Sequence, residues 1–289
     1  AGILTKPPAK QAGLAMKADA AFDKTLKLDE KQWGARLMKA MSEIEAEKTR
    51  KPVIQLSQTW PDIFIEDSYA IQGLVNEMKV AAGSKVIGNK IGLTSKAMQQ
   101  SSQIDEPDYG VLHDTMVVED GAKVPFENYI VPRVEIELVF VLGKPLRGPG
   151  VGLLDVLRAT EYVVPAIEII DARVQNPRKI FDTVADNGAA AGLVIGGRAV
   201  GPMDIDLRWV SGLLYRNADI EETGVAAGVL GHPAMGIAWL ANKVGRFGTV
   251  LEPGRVMLSG SFIRPVWAQK GDTLRADFGS LGSLSIQFG

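Results

Sequence analysis

The stretch Val134-Glu135-Ile136-Glu137-Leu138-Val139-Phe140 sets two acids into an otherwise apolar run. In a β-strand, residues two apart share a face. Glu135 and Glu137 then point one way, and Ile136 and Leu138 the other. A second run, Val163-Val164-Pro165-Ala166-Ile167-Glu168-Ile169-Ile170, places one acid inside an apolar strand. An isolated carboxylate buried there is costly. Two neighbouring carboxylates raise each other's proton affinity unless a cation sits between them. Two readings stand at this point. Glu135 and Glu137 line the wet face of a half-exposed strand, or they converge with Glu168 on a hard divalent cation, Mg²⁺ or Mn²⁺, which all-oxygen ligands favour. The apolar surroundings of Glu168 lean toward the second.

Outward from this stretch, other short β-rich runs are punctuated by Gly, Pro, Asn and Asp: Lys85–Ile91, Tyr162–Ile170, Gly192–Ile195, Arg255–Leu258, Thr273–Phe278 and Ser283–Phe288. One helix interrupts them, from Pro233 to about Val244. Many strands with few helices predict an α+β fold whose catalytic part is a mixed β-roll or sandwich, not a series of βαβ units. The N-terminal side differs. Trp33, Leu37, Met41 and Ile44 recur at helical spacing between Lys31 and Lys48. A second helix carries Tyr69, Ile71, Leu74, Val75 and Met78, with Ile65-Glu66-Asp67 at its start. The expected division is a loose arm over residues 1–30, a helical region over 31–82 and a β-rich catalytic domain over 83–289.

The formal charge of -2 offers no basic excess for nucleic acid or an anionic membrane surface. No apolar stretch is long enough to span a bilayer, and no signal pattern opens the chain, so a soluble, cytoplasmic protein is the expectation. Cysteine is absent, which removes disulfides, thiolate metal sites and a cysteine nucleophile. His113 and His232 are the only histidines and no HExxH occurs, so zinc is disfavoured; His232, before Pro233 at a helix start, suits a structural role. There is no GxSxG elbow, and Gly148-Pro149-Gly150-Val151-Gly152 lacks dinucleotide-binding spacing. Gly83 to Lys90 is not a phosphate loop: Asn89 stands where its lysine belongs and no Ser or Thr follows Lys90.

Two further residues carry candidate chemistry. Lys90, closing an apolar strand before Ile91-Gly92, either snorkels to water or turns its cation into a pocket to stabilise an enolate or carboxylate. Asp105-Glu106-Pro107-Asp108-Tyr109-Gly110 reads as a turn, in which Asp108 is a turn former or, inside a pocket, a general acid or base.

Together these segments resemble the hydratase and decarboxylase branch of the fumarylacetoacetate hydrolase superfamily. The resemblance runs from about Ile65 to the C-terminus. It rests on KIGLTSKAMQQSSQIDEPDYGVL (Lys90 to Leu112), VPRVEIELVFVLGKPLRGP (Val131 to Pro149), VVPAIEIIDAR (Val163 to Arg173), DTVADN (Asp182 to Asn187) and EETGVAAGVLGHPAMGIAWLANK (Glu221 to Lys243). It implies Mg²⁺ (or Mn²⁺) on Glu135, Glu137 and Glu168, catalytic roles for Lys90 and Asp108, and substrate contacts from Leu93, Ser95 and Ser261. It also implies a homo-oligomer, possible association with a related pathway enzyme, and a small 2-oxo acid substrate from aromatic-compound catabolism. The implied reaction is addition of water to a 2-oxo-4-enoate such as 2-oxo-hept-4-ene-1,7-dioate. Decarboxylation of a 2-oxo-3-enedioate, or a non-catalytic partner role, are the alternatives. Asn89, Met235, Ile263 and the short Arg173–Lys179 loop depart from the branch's pattern and bear on substrate choice.

Overall fold

The computed structural model describes residues 30–102 and 104–289, so the expected N-terminal arm lies outside the described residues except for its last position. Helices α1 (Glu30–Thr49), α2 (Leu56–Thr59) and α3 (Ile65–Ala81) come first. Strand β1 (Val86–Gly92), helix α4 (Lys96–Ser102), strand β2 (Asp108–His113) and the short strands β3 (Val117–Val118) and β4 (Lys123–Val124) follow. Next are β5 (Arg133–Leu142), α5 (Leu153–Ala159), β6 (Thr160–Ile170), α6 (Ile180–Ala185) and β7 (Ala190–Ile195). The chain ends with β8 (Ser211–Arg216), β9 (Asp219–Val225), α7 (Ala234–Gly245), β10 (Val256–Leu258), β11 (Val266–Trp267), β12 (Thr273–Asp277) and β13 (Ser283–Phe288).

The strands form two sheets. The larger runs β2-β1-β10-β5-β6-β7-β3, with β11 pairing the start of β5; the smaller runs β4-β13-β12-β8-β9. Parallel pairs (β1 with β10, β3 with β7, β4 with β13) mix with antiparallel ones, giving the expected mixed α+β fold. The alternation along β5 decides which face holds the core. Val134, Ile136, Leu138, Phe140 and Leu142 join the main core with Ile237 and Leu240 of α7 and Leu274 and Ile286 of the smaller sheet. On the opposite face, Val139 packs with Leu112, Val164, Ala166, Leu193 and Leu258. Both faces of the centre of β5 are therefore dry, and Glu135 and Glu137 share the second face.

Sequence reading missed several elements. The short helices α2, α4, α5 and α6 present too few turns for a hydrophobic period to show. The β8–β9 hairpin was invisible because β9 is an edge strand with its residues largely exposed, so no apolar alternation marks it. The turn expected over Asp105–Gly110 is confined to a bend at Asp105 and Glu106; Asp108 opens β2 and is buried. Pro107 ends the bend and leaves the next residue free to pair. Among the described residues, no helix is long and apolar enough to cross a membrane.

The helices are fastened to the sheet by buried polar side chains. The start of α3 is fixed by Asp67, whose carboxylate accepts the Phe64 N–H at 3.0 Å and pairs with Arg36 of α1. Gln72 of α3 donates to the carbonyls of Tyr109 on β2 and Val184 on α6, both at 2.9 Å. Asn76 donates to Asn187 Oδ1 at 3.2 Å and meets His113 Nε2 at 2.7 Å. His113 is thus occupied structurally, with Ser84 at its other ring nitrogen.

Glu43 of α1 is 2% exposed, and neither carboxylate oxygen has a hydrogen-bond partner among the described residues. Burial, reinforced by Asp186 and opposed by Lys39 and Arg173, lifts it to about 8. A carboxyl whose folded value is raised binds its proton more tightly folded than unfolded. Its contribution to stability is therefore intact below about 4.5 and is lost as pH rises through about 8. Replacing Glu43 with Gln should stabilise the protein increasingly between pH 5 and 8, by at most about 1.4 kcal/mol per pH unit. Thermal denaturation of both proteins across that range checks it, and parallel curves would refute it.

Candidate metal centre and active site

The register of β5 against β6 sets Glu135 directly opposite Glu168, and Glu137 opposite Ala166. The small side chain of Ala166 leaves the space beside Glu137 open. One carboxylate oxygen from each of Glu135, Glu137 and Glu168 lies within 4.8 Å of the others. Glu137 and Glu168 are buried, at 1% and 0% exposure, and Glu135 is half-buried. The wet-face reading of this strand is therefore overturned. Glu137 Oε2 accepts the Gly260 N–H at 2.8 Å, whereas neither oxygen of Glu168 has a hydrogen-bond partner among the described residues.

Burial and then mutual repulsion push Glu135 up to about 7 and Glu137 well above the usual carboxylate range. Glu168 is also raised, by burial, with Lys90 pulling against it. At an effective dielectric of 20, each ionised pair at this spacing repels by about 3 kcal/mol. Three such pairs approach the total stability of a domain. The cluster needs protons or a cation. Three convergent carboxylates with no nitrogen or sulfur among them, with Lys90 as the one cation paired to Glu168 among the described residues, fit a hard divalent ion.

Lys90 sits beside this cluster. Its strand, β1, pairs with β2 and β10, and the residue is 4% exposed. The stem runs between two glycines. A Cβ on Gly110 would approach Lys90 Cγ to 3.1 Å and the Asn187 carbonyl oxygen to 2.4 Å, and one on Gly188 would approach Lys90 Cδ to 3.2 Å. The amine donates to the Gly188 carbonyl at 3.0 Å and lies 3.4 Å from Glu168 Oε1. It points inward, so the snorkelling alternative is excluded. Burial disfavours its charge, but Glu168, Asp108, Glu135 and Glu137 outweigh that and hold Lys90 above the ordinary lysine value.

Asp108 pairs in register with Gly92, where a Cβ would fall 2.1 Å from Asp108 Oδ1. Gly92 is thus required by the close approach of this carboxylate. Asp108 is 2% exposed, its Oδ1 has no hydrogen-bond partner among the described residues, and burial raises it against the pull of Lys90. A buried acid with a free oxygen beside a buried ammonium is suited to proton transfer.

The carbonyl that receives Lys90 belongs to a strained loop that sequence reasoning missed. Asn187, Gly188 and Ala189 are successive left-handed residues, with φ of 54°, 62° and 59°. Asn and Gly adopt this region readily; Ala does not. The surrounding contacts enforce it. Asn187 exchanges hydrogen bonds with the backbone of Val111, both at 2.8 Å. Arg173 grips Asp186 Oδ1 at 2.5 Å, the Asp186 carbonyl at 2.7 Å and the Ala190 carbonyl at 3.0 Å. The only visible signal was the Asn-Gly dipeptide. Such strain persists where surrounding structure over-determines it.

The other expected residues divide. Leu93 is left-handed, with φ 55°, and its carbonyl accepts from Gln99. Ser95 Oγ accepts the Met98 N–H at the start of α4, and Ser261 Oγ bonds the backbone of Ile263. Both hydroxyls serve local turns, although Ser261 directly follows the Gly260 that holds Glu137. Asn89 donates to the Gly110 carbonyl, and Ile263 packs against the main core. His232 Nδ1 accepts the Ala234 N–H at the start of α7, the structural role expected of it.

Comparison with known proteins agrees with this geometry. The profile of the fumarylacetoacetate (FAA) hydrolase C-terminal family matches residues 68–288. The chain is 55% identical to 2-oxo-hept-4-ene-1,7-dioate hydratase of Escherichia coli over 251 residues, covering 84% of this chain and 94% of the relative. It is 40% identical to 2-hydroxyhexa-2,4-dienoate hydratase of Comamonas testosteroni, over 84% and 94% of the two chains. Among solved structures, 4-oxalocrotonate decarboxylase from Pseudomonas putida G7, complexed with magnesium and adipate, superposes with a TM-score of 0.87 at 32% identity. That match covers 91% of this chain and 99% of the other. The chain belongs to the fumarylacetoacetate hydrolase family, in its hydratase and decarboxylase branch.

Proposed function

We propose that this protein hydrates a 2-oxo-4-enoate, with 2-oxo-hept-4-ene-1,7-dioate as the favoured substrate, using Mg²⁺ or Mn²⁺ held by Glu135, Glu137 and Glu168. The observation that carries the reading is the convergence of those three carboxylates, two buried and one half-buried, beside Lys90 and Asp108. The kinship with hydratases named above supports the substrate class. When bound, the cation would supply Lewis-acid polarisation of a 2-oxo group.

The protein's own groups supply the rest. Gly260 fixes Glu137, and the paired strands fix Glu135 against Glu168, so the acids need no reorganisation. Lys90 offers a buried positive charge to an oxygen that becomes anionic as the substrate enolises. In the enol form of the substrate, a 2-hydroxy-2,4-dienoate, C5 takes a proton while the enol hydroxyl gives one up. The double bond then lies between C3 and C4, conjugated to the ketone. Water adds its oxygen at C4 and a proton is delivered to C3, giving a 4-hydroxy-2-oxo acid. Asp108, raised and with one free oxygen, is the group assigned to carry protons, with the buried Lys90 ammonium beside it as the second proton-transfer candidate. Leu93, Ser95 and Ser261 are proposed to border the substrate. A homo-oligomer belongs to the same proposal and would cover exposed apolar side chains such as Phe64 and Trp209, at 70% and 69% exposure.

The likeness to the decarboxylase structure favours one second reading, loss of CO₂ from a 2-oxo-3-enedioate, which needs the same enolate stabilisation. Incubation with Mg²⁺ and a 2-hydroxy-2,4-dienoate should bleach the dienol absorbance and yield a 4-hydroxy-2-oxo acid without CO₂. Release of CO₂ from an enedioate with no hydration would select the second reading.

Removing divalent ions with a chelator should abolish turnover, and Mg²⁺ or Mn²⁺ should restore it. Glu137→Gln should lower kcat by about a thousandfold, a loss that excess metal does not repair. Asp108→Asn should lower kcat by roughly a hundredfold or more with little change in KM. A KM effect alone would make Asp108 a binding group.

A further inference from the structure

The Lys90 amine lies between the Gly188 carbonyl, at 3.0 Å, and Glu168 Oε1, at 3.4 Å. The nearer partner is held by the side chain that precedes it in sequence. Asn187 is 2% exposed, and its amide clasps one residue of β2. The Val111 N–H donates to Asn187 Oδ1, and Asn187 Nδ2 donates to the Val111 carbonyl, both at 2.8 Å. Val111 pairs in register with Asn89, and Gly110 pairs with Lys90. The clasp therefore docks the loop one rung along from Lys90 itself. Gly110 records how close that docking is. A Cβ there would meet the Asn187 carbonyl oxygen at 2.4 Å and Lys90 Cγ at 3.1 Å.

The Asn187 amide is itself oriented from α3. Asn76, also buried, donates from Nδ2 to the Gln72 carbonyl at 2.8 Å and to Asn187 Oδ1 at 3.2 Å. Its Oδ1 is left to accept from His113 Nε2 at 2.7 Å, so that nitrogen carries the imidazole proton and Nδ1 accepts the Ser84 hydroxyl at 2.9 Å. Facing a donor on Asn76, Asn187 turns its oxygen that way, and the same oxygen takes the Val111 N–H. The backbone agrees with this use of the side chain. Asn187 has φ 54°, a region that asparagine enters more readily than most residues with a Cβ, and its short amide carries both a donor and an acceptor.

We infer that Asn187 is a positioning residue for the reaction: by clasping Val111 it holds the Gly188 carbonyl at the end of the Lys90 stem and so fixes the ammonium for the substrate oxygen it serves. The inference rests on the function proposed above and adds to it a residue that acts through another. An ammonium on a flexible stem, with Glu135, Glu137, Glu168 and Asp108 around it, has more than one place to settle. Misplacing such a group by about 1 Å costs on the order of a hundredfold in rate.

Steady-state kinetics with Mg²⁺ and a 2-hydroxy-2,4-dienoate, run well below each protein's melting temperature, test this. Asn187→Gly leaves the left-handed backbone accessible and removes the clasp. Its kcat should fall by about ten- to a hundredfold with KM within about twofold. Asn187→Asp keeps the shape and both acceptor contacts but, when ionised, has nothing to donate to the Val111 carbonyl; a protonated carboxyl restores that donor. Its kcat relative to the unaltered protein at the same pH should therefore be low at about pH 8 and recover as pH falls toward about 5. A role confined to stability would not give that recovery at constant KM. If Asn187→Gly fails to fold, the isosteric Asn187→Asp carries the test alone. A kcat within about twofold of the unaltered protein in the folded variants, or a loss in Asn187→Asp that stays constant with pH, would overturn the role and leave the hydratase reading in place. Absence of turnover by the unaltered protein would remove that reading, and this role with it.

Discussion

Repulsion among three convergent carboxylates, withdrawn from water to different degrees, is the constraint on which this structure depends. Glu135, Glu137 and Glu168 are brought together by the pairing of β5 with β6, and little in the protein relieves them. Gly260 gives one N–H to Glu137, and Lys90 stands 3.4 Å from Glu168. One ammonium does not neutralise three carboxylates and Asp108. The same β5 residues are flanked by Ile136 and Leu138 on a fully buried face, so the strand cannot roll to release its acids into water without breaking the main core. Stability and site are thus coupled through one strand, and a divalent cation satisfies both.

Around that centre, glycine serves as clearance. Gly92 admits the Asp108 carboxylate, and Gly110 and Gly188 admit the Lys90 stem. The carbonyl that receives Lys90 is presented by a left-handed loop which Arg173, Asp186 and Asn187 hold in place. The N-terminal helices take part in this. Gln72 joins β2 to α6, and Asn76 joins Asn187 to His113. The helical region therefore braces the two segments that carry Asp108 and the Gly188 carbonyl to which Lys90 donates.

Much of this was legible in the sequence because period-two alternation in Val134–Phe140 is a strong local signal, and an acid in the apolar run around Glu168 has few ordinary explanations. The pairing of Glu135 with Glu168 was not, since register between distant strands leaves no trace in either one. The direction of Lys90 was also hidden: a lysine ending a strand reads the same whether it snorkels or turns inward, and Gly110 and Gly188, which decide it, lie far along the chain. Asp108 was disguised as a turn by Pro107 and two acids, and the Asn187–Ala189 loop by its shortness. The β8–β9 hairpin was missed because an exposed edge strand carries no hydrophobic pattern.

A crystal soaked in Mn²⁺ and measured for anomalous scattering tests the central claim most directly. A single strong peak within bonding distance of Glu135, Glu137 and Glu168, with Lys90 withdrawn or unchanged beside it, is the predicted result. No peak among these oxygens at saturating Mn²⁺, or a peak only elsewhere on the protein, would contradict the account.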